Sequence, residues 1–376
     1  MKTQTLQWSE ATGWAAKGEA VPDAELVLFF AGSDALIAAD KMQELHKRFT
    51  SATIVGCSTG GEIVDSDVLD NSIVASAIKF DDTKVNVATE RIDDAAQSRS
   101  VGIKLGKALK QKDLQLVFVL SDGMRVNGSE LVLGLRSVLG EGVSVSGGLA
   151  GDGARFGTTL VGVGDQIDTG RVVAIGFAGT KLNVGHGCVG GWEPFGPERM
   201  ITKSIGNVLY EIDGQPALDL YKRYLGDEAA NLPGSALLFP LCLRRTKSHD
   251  DDVVRTILSV NEADKTMTFA GDVPTGAVAQ LMRGNISNLV SGATRAAEGA
   301  VKDVKSPTLA LLVSCIGRKL LLGQRTSEEV EAVTDVLGAH CATIGFYSYG
   351  EISPQSTTGL CELHNQTMTI TVLSET

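Results

Sequence analysis

Long apolar runs are missing from this sequence. No stretch approaches the roughly 20 residues that a membrane-crossing helix needs, so membrane insertion is not expected. Positive charge is short as well. Against 45 Asp and Glu stand 34 Lys and Arg, a net charge of −11, and no basic cluster offsets it. Nucleic acid and acidic membrane surfaces both select a cationic face, which removes them as expected partners. The six cysteines, Cys57, Cys188, Cys242, Cys315, Cys341 and Cys361, include no CxxC pair. A zinc ribbon or a thioredoxin-like motif is thereby excluded. The first residues, Met1 to Trp8, carry no signal-peptide core, and thiols in a chain this large without one suggest a reducing cytoplasm. Aromatic residues make up only 5% of the chain, whereas glycine is abundant at 43 residues. Many turns and close backbone approaches follow, as around a small-molecule site.

The glycines fall in a pattern. Residues 341–352 form a short apolar run that enters a turn with Gly345 and Gly350 at its ends and Glu351 directly after. Residues 52–63 repeat the form with Gly56, Gly60, Gly61 and Glu62, and residues 143–153 with Gly147, Gly148, Gly151 and Asp152. Each copy follows a more apolar strand (26–30, 116–120, 309–313) and a segment of helical spacing (35–48, 128–139, 327–337). Each leads into another strand (72–80, 172–177 and the alternating run 363–373, which reads as one half-buried strand). Strand, helix, strand at this spacing suggests a βαβ-like unit with parallel pairing. Three copies, at a period beyond the roughly 20–50 residues of solenoids, indicate duplication inside a globular protein.

The expected fold class is therefore α/β, with two associated domains built from repeated strand-helix-strand units with Gly-rich turns. Residues 1–25 read as a lead-in. Residues 26–215 hold two units, and 216–376 hold the third plus an insertion-rich half. Between the units the pattern gives a surface helix over 93–110, a short helix over 218–225 stopped by Gly226, and an edge strand over 237–243 containing Pro240. A charged loop over 244–252 with His249, a hairpin from 255–260 and 266–269, and a helix over 285–304 complete the expectation.

Residues 190–197 (Gly-Gly-Trp-Glu-Pro-Phe-Gly-Pro) and 201–221 together resemble the FIST family of prokaryotic sensory proteins. Residues 56–63, 146–151, 345–352, 255–258, 269–276 and 364–367 resemble its other signatures, so the likeness covers nearly all of the chain beyond Leu26. The resemblance implies a ligand-binding sensor of signal transduction. Some members are described as haem proteins that sense nitric oxide for a histidine kinase. Haem and a histidine kinase or other signalling protein are accordingly the implied cofactor and partner; a homodimer is a separate expectation.

The candidate ligand-binding residues are Cys57, Ser58, Thr59, Glu62, Gly148, Asp152, Tyr347, Tyr349, Glu351, His364 and Asn365. Glu62, Asp152 and Glu351 could bind a ligand amine or cap the N–H groups of their own turns. Tyr347 and Tyr349 could stack on a flat ligand or fill the core, and alternation puts both on one side. His364, beside Asn365, is the candidate axial ligand of a haem iron, with Asn365 or a carbonyl holding its second nitrogen; the bland reading is a strand-end His bonded to a loop carbonyl. His186 and His340 come second, His46 reads as helix surface and His249 as loop. Residues 56–60 fit the G-x-S-x-G elbow, yet an elbow leads into a helix, and here turn residues and a strand follow. Cys57 reads either as a thiolate nucleophile or as a small buried side chain. No catalytic residue is expected. The alternatives are a haem-free sensor of amino acids or related metabolites, and a Ser/Cys hydrolase using the 56–60 turn.

Overall fold

Strands that are apolar at every position must be covered on both faces, and the three units each contain such a strand. The computed structural model describes residues 1–37, 40–245, 252–356 and 358–376. In unit one Leu26–Ala31 pairs in parallel with Thr53–Ser58. In unit two Leu114–Ser121 pairs with Ser144–Leu149, and in unit three Leu309–Cys315 pairs with Ala342–Ser348. On its other side each first strand takes an antiparallel neighbour: Ile73–Lys79, Arg171–Ala178 and Met368–Glu375. That neighbour is in turn flanked by a strand preceding the unit: Lys2–Ser9, Lys84–Arg91 and Leu182–Val189.

The units close on one another. After each Gly turn the chain makes a short hairpin whose first strand joins a different unit. Glu62–Val64 of unit one pairs with Ala342–Ser348 of unit three. Val161–Val163 of unit two pairs with Thr53–Ser58 of unit one. Gly350–Pro354 of unit three pairs with Ser144–Leu149 of unit two. The exchange is cyclic, so three sheets of seven, six and six strands form one closed set.

Burial follows the alternation along each first strand. Leu26, Leu28 and Phe30, Leu116, Phe118 and Leu120, and Leu309, Leu311 and Val313 meet in one central cluster. There Phe30 and Phe346 stack with ring centroids 4.6 Å apart. The intervening residues face outward onto helices. Val27 and Phe29 pack with Met42 and Leu45 of the helix Asp40–Arg48. Val117 and Val119 pack with Leu131 and Leu135 of Gly128–Leu139, and Ala310 and Leu312 with Val330 and Val333 of Ser327–Leu337. Each fully buried Leu, Val or Phe contributes about 1.5–3 kcal/mol.

Several expectations change. Residues 1–25 are not a lead-in, because Lys2–Ser9 adds to the first sheet and Gly13–Lys17 adds to it in turn. The helix expected over 93–110 is Ser98–Leu109, and its Val101, Leu105 and Leu109 are buried rather than on the surface. The run 363–373 is two strands, Cys361–His364 and Met368–Glu375, separated by a turn in which Gln366 has φ 63°. Alternation reports half-burial, and it continues here across a change of sheet. Residues 234–238 form a 3-10 helix before the strand Leu241–Arg244. The hairpin Ile257–Asn261 and Thr266–Phe269 and the helix Ile286–Val301 lie where expected. The loop residue His249 lies outside the described residues.

Between Val189 and Ile286 an insertion builds its own nine-stranded sheet. Its core holds Ile201, Leu209, Leu218, Leu243 and Phe269. The boundary expected between 215 and 216 lies inside this sheet, where Gln215–Pro216 pairs with Val208–Ile212. Among the described residues no helix is long and apolar enough to cross a membrane.

Candidate functional site

The three Gly turns meet at the centre of the closed set. Gly56, Gly147 and Gly345 occupy corresponding places, and a Cβ on any of them would lie 2.0–2.1 Å from a carbonyl oxygen of the neighbouring strand. No side chain is tolerated there, which is why the first glycine recurs. Beyond it, three corresponding backbone bonds tie turn to turn. Gly60 N–H donates to Tyr347 O at 2.7 Å, Gly151 N–H to Ser58 O at 3.0 Å and Tyr349 N–H to Leu149 O at 3.1 Å.

The carboxylates after the turns are held in matching ways in units one and three. Thr59 Oγ1 donates to Glu62, and Ser72 donates to the other carboxylate oxygen through N–H at 2.9 Å and Oγ at 2.8 Å. Ser348 Oγ donates to Glu351 at 2.7 Å, and Thr367 through N–H at 3.1 Å and Oγ1 at 3.0 Å. Burial pushes Glu62 up to about 7 and Glu351 up to about 8, against the pull of those same donors. Unit two differs. Val161 stands opposite Cys57 as Glu62 stands opposite Phe346. Asp152 lies earlier, in a longer loop, where it accepts Gly157 N–H at 2.9 Å, Thr158 N–H at 2.8 Å and the Tyr349 hydroxyl.

Other candidates are part of the framework. Cys57 is fully buried in the central cluster, and burial drives its thiol well above the ordinary value, so it stays protonated. Ser58 is buried too; its Oγ donates to Gly151 O at 2.7 Å and accepts from Leu160 N–H at 2.8 Å. Among the described residues no acid or base bonds that hydroxyl. A Cβ on Gly148 would lie 2.7 Å from Val313 Cγ1, so this residue is packed between units. Tyr347 and Tyr349 diverge, contrary to the alternation argument, because the strand ends at Ser348. Tyr347 donates to Glu329 at 2.8 Å inside unit three. Tyr349 stacks on Phe156 of unit two with centroids 4.5 Å apart.

His364 and Asn365 border a different cavity of about 310 Å³, with Cys188, Gly190 and Thr367. His364 Nε2 lies 3.1 Å from Ser353 O, and burial pulls the imidazole down to about 4, leaving it neutral. Asn365 spans units, accepting from Thr256 N–H at 3.3 Å and donating to Tyr349 O at 3.4 Å. Drug-sized ligands need about 300–1,000 Å³ of mostly apolar wall. A haem, wider than most of these, does not fit a 310 Å³ cavity whose His already holds a carbonyl. His186 Nδ1 faces Thr371 Oγ1 at 3.3 Å within its sheet, and His340 is exposed. The residues proposed for the iron therefore do not form a haem site.

Of the eleven candidates, Thr59, Glu62 and Asp152 converge on an open crevice of about 230 Å³. It sits just past the carboxyl ends of Leu26–Ala31 and Thr53–Ser58, where parallel sheets place ligands. Four further residues were missed in the sequence. Ser33, Asp70 and Arg155 border it, and Lys319 reaches in, donating to Gly60 O at 2.9 Å and pairing with Asp70. Arg155 Nη2 donates to Ser33 Oγ at 3.0 Å and Nη1 pairs with Asp34 at 3.2 Å. No spacing linked these positions; only their following a strand end could have singled out Ser33. The corresponding places in the other units are filled. The Tyr349 ring occupies that of unit two, 2.9 Å from where a Cβ of Gly123 would stand. Ile316 occupies that of unit three, 2.8 Å from where a Cβ of Gly60 would stand. A larger cavity, about 770 Å³, lies elsewhere, beside Met42, His46 and Ile167, and no turn residue borders it.

A model described as the FIST N domain matches residues 25–215, and one described as the FIST C domain matches residues 217–354. An uncharacterized protein of Methanocaldococcus jannaschii is 26% identical over 381 aligned residues, covering 87% of this chain and 70% of that one. A crystal structure of a cyanuric acid hydrolase from A. caulinodans covers 95% of this chain and 91% of its own at 10% identity. Its TM-score of 0.37 is too low for any chemistry to be read across.

Proposed function

We propose that this chain, which belongs to the FIST family, reads a small amine-bearing metabolite of amino-acid size in the unit-one crevice and does so without converting it. Its FIST N and FIST C domains carry a sensory, ligand-binding role in signal transduction. The observation that carries the finer reading is a pair of incompletely used carboxylates. A carboxylate offers about four acceptor positions. Thr59 and Ser72 take three on Glu62, and Gly157, Thr158 and Tyr349 take three on Asp152. Both residues border the one open crevice of the three corresponding places. An ammonium group supplies the missing donors, and Lys319 and Arg155, whose Nε lies 4.0 Å from Asp152, favour a ligand carboxylate beside it on the same rim. A volume of about 230 Å³ suits a small metabolite and falls below the drug-sized range. Binding without chemistry is supported by Ser58 and Cys57, whose reactive atoms are buried and engaged or protonated. The bound state is passed to a signalling protein, a histidine kinase in the terms of the family resemblance.

Thermal shift and calorimetry with amino acids, simple amines and the matching carboxylic acids test the reading. At a ligand concentration about 100 times Kd, stabilisation reaches about 2.7 kcal/mol. Amine-bearing compounds should raise Tm saturably, and Glu62→Gln should weaken them about tenfold or more. Absence of binding across the panel overturns the reading. So does ester or amide hydrolysis that is lost in Ser58→Ala.

A further inference from the structure

A cavity of about 480 Å³ lies where the insertion meets the closed set, between the helix Gly128–Leu139 and the strand Cys361–His364. None of its residues borders the unit-one crevice. Its deepest cation is Arg255, at the end of the insertion strand Val253–Arg255 and only 3% exposed. Burying a guanidinium is costly unless its charge is compensated and its five donors are used. Here Nε donates to Asp272 O at 3.1 Å, and Nη1 to Val254 O at 3.3 Å and Leu363 O at 3.1 Å. Nη2 has only Ser129 Oγ at 3.5 Å, beyond the ordinary hydrogen-bond range. Among the described residues no carboxylate oxygen lies within ion-pair distance of Arg255. The desolvation shows in a guanidinium pulled down to about 10.

Two more arginines border the same cavity. Arg136 projects from the helix Gly128–Leu139, is half-buried, and its side chain bonds no other described residue. Arg245 donates to Glu362 at 3.0 and 3.3 Å. Asp272, the other carboxylate there, already accepts from Asn127 at 2.6 Å. Among the described residues three arginines border this cavity against two engaged carboxylates, in a chain of net charge −11. Planar guanidinium groups recognise carboxylate and phosphate oxygens in pairs.

We infer that this cavity is a second, anion-binding site, for a small carboxylate or phosphate compound held between Arg136 and Arg255. An anion there supplies acceptors to Nη2 of Arg255 and to the uncommitted Arg136. It also ties the helix of unit two to the insertion, so its presence is felt at the junction of the two parts of the chain.

The test uses the full chain with inorganic phosphate and with citrate as probes, at constant ionic strength set with chloride. At least one probe should bind saturably by calorimetry and raise Tm. Phosphate alone assigns the phosphate class, citrate alone the carboxylate class, and both assign a shared oxyanion site. Arg136→Ala, at a half-buried helix position that should still fold, should weaken the probe tenfold or more, and Arg136→Glu should abolish binding. Lys112→Ala removes the same charge from an exposed position and should leave binding unchanged. If neither probe binds, or if both Arg136 variants bind as the wild type does, the inference is overturned.

Discussion

Buried charge is concentrated in a few side chains. Arg318 and Glu329 are both fully buried, joined at 3.0 and 2.7 Å. Arg318 also donates to Leu289 O at 2.9 Å and Gly190 O at 3.1 Å. Their charges compensate each other, as a buried pair must. Among the described residues Glu351 has no such partner, and burial raises it to about 8 against the pull of its donors Ser348 and Thr367. A carboxyl whose folded pKa is raised makes stability fall as pH climbs from its unfolded value to its folded one. Glu62 acts the same way up to about 7. His364 and His186, both pulled down to about 4, act oppositely and raise stability between about 4 and 6.5. Above pH 6.5 only the carboxyl effect remains among these groups. Glu351→Gln should therefore remove a loss on the order of 1–2 kcal/mol between pH 6.5 and 8. Urea unfolding at several pH values measures it, and an unchanged slope would contradict the assignment. At this scale the sequence was least legible. Glu62, Glu351 and Asp152 stood out by position, but Arg318, Arg255 and Lys319 did not, because their partners come from other elements.

Elements were clearer where one physical signal sufficed. The helices Gly128–Leu139 and Ser327–Leu337 match their periodicity to the residue, since each lays one apolar face on one sheet. The paired parallel strands were visible as apolar runs for the same reason. Lys2–Ser9 was not, because Thr, Gln and Trp around Leu6 give a weak alternation, and its partner lies some 70 residues on. Its register with Ile73–Lys79 runs from Lys2 opposite Lys79 to Trp8 opposite Ile73. Removing residues 1–17 would bare the long edge of Ile73–Lys79, whose first six residues are buried, and such edges recruit other chains. The shortened protein should show a Tm lower by several degrees and concentration-dependent light scattering. Unchanged melting and a monodisperse solution would show that the strand contributes little.

The whole molecule is one ring of three units plus an insertion, and its asymmetry marks the site. The repeat was legible as three Gly turns. The cyclic exchange of hairpins was not, because pairing between units leaves no local pattern in the chain. Nor could the sequence tell which of three corresponding places stays open. That depends on Tyr349 and Ile316 filling two of them. The central claim is that ligand enters the third. Hydrogen exchange on the full chain, with and without the tightest-binding amine from the panel, tests it most directly. Exchange should slow in peptides covering 58–62 and 152–159 and stay unchanged over 348–351, the filled counterpart. Protection confined to 361–367, around His364, or absent from both crevice peptides at saturating ligand, would contradict the account.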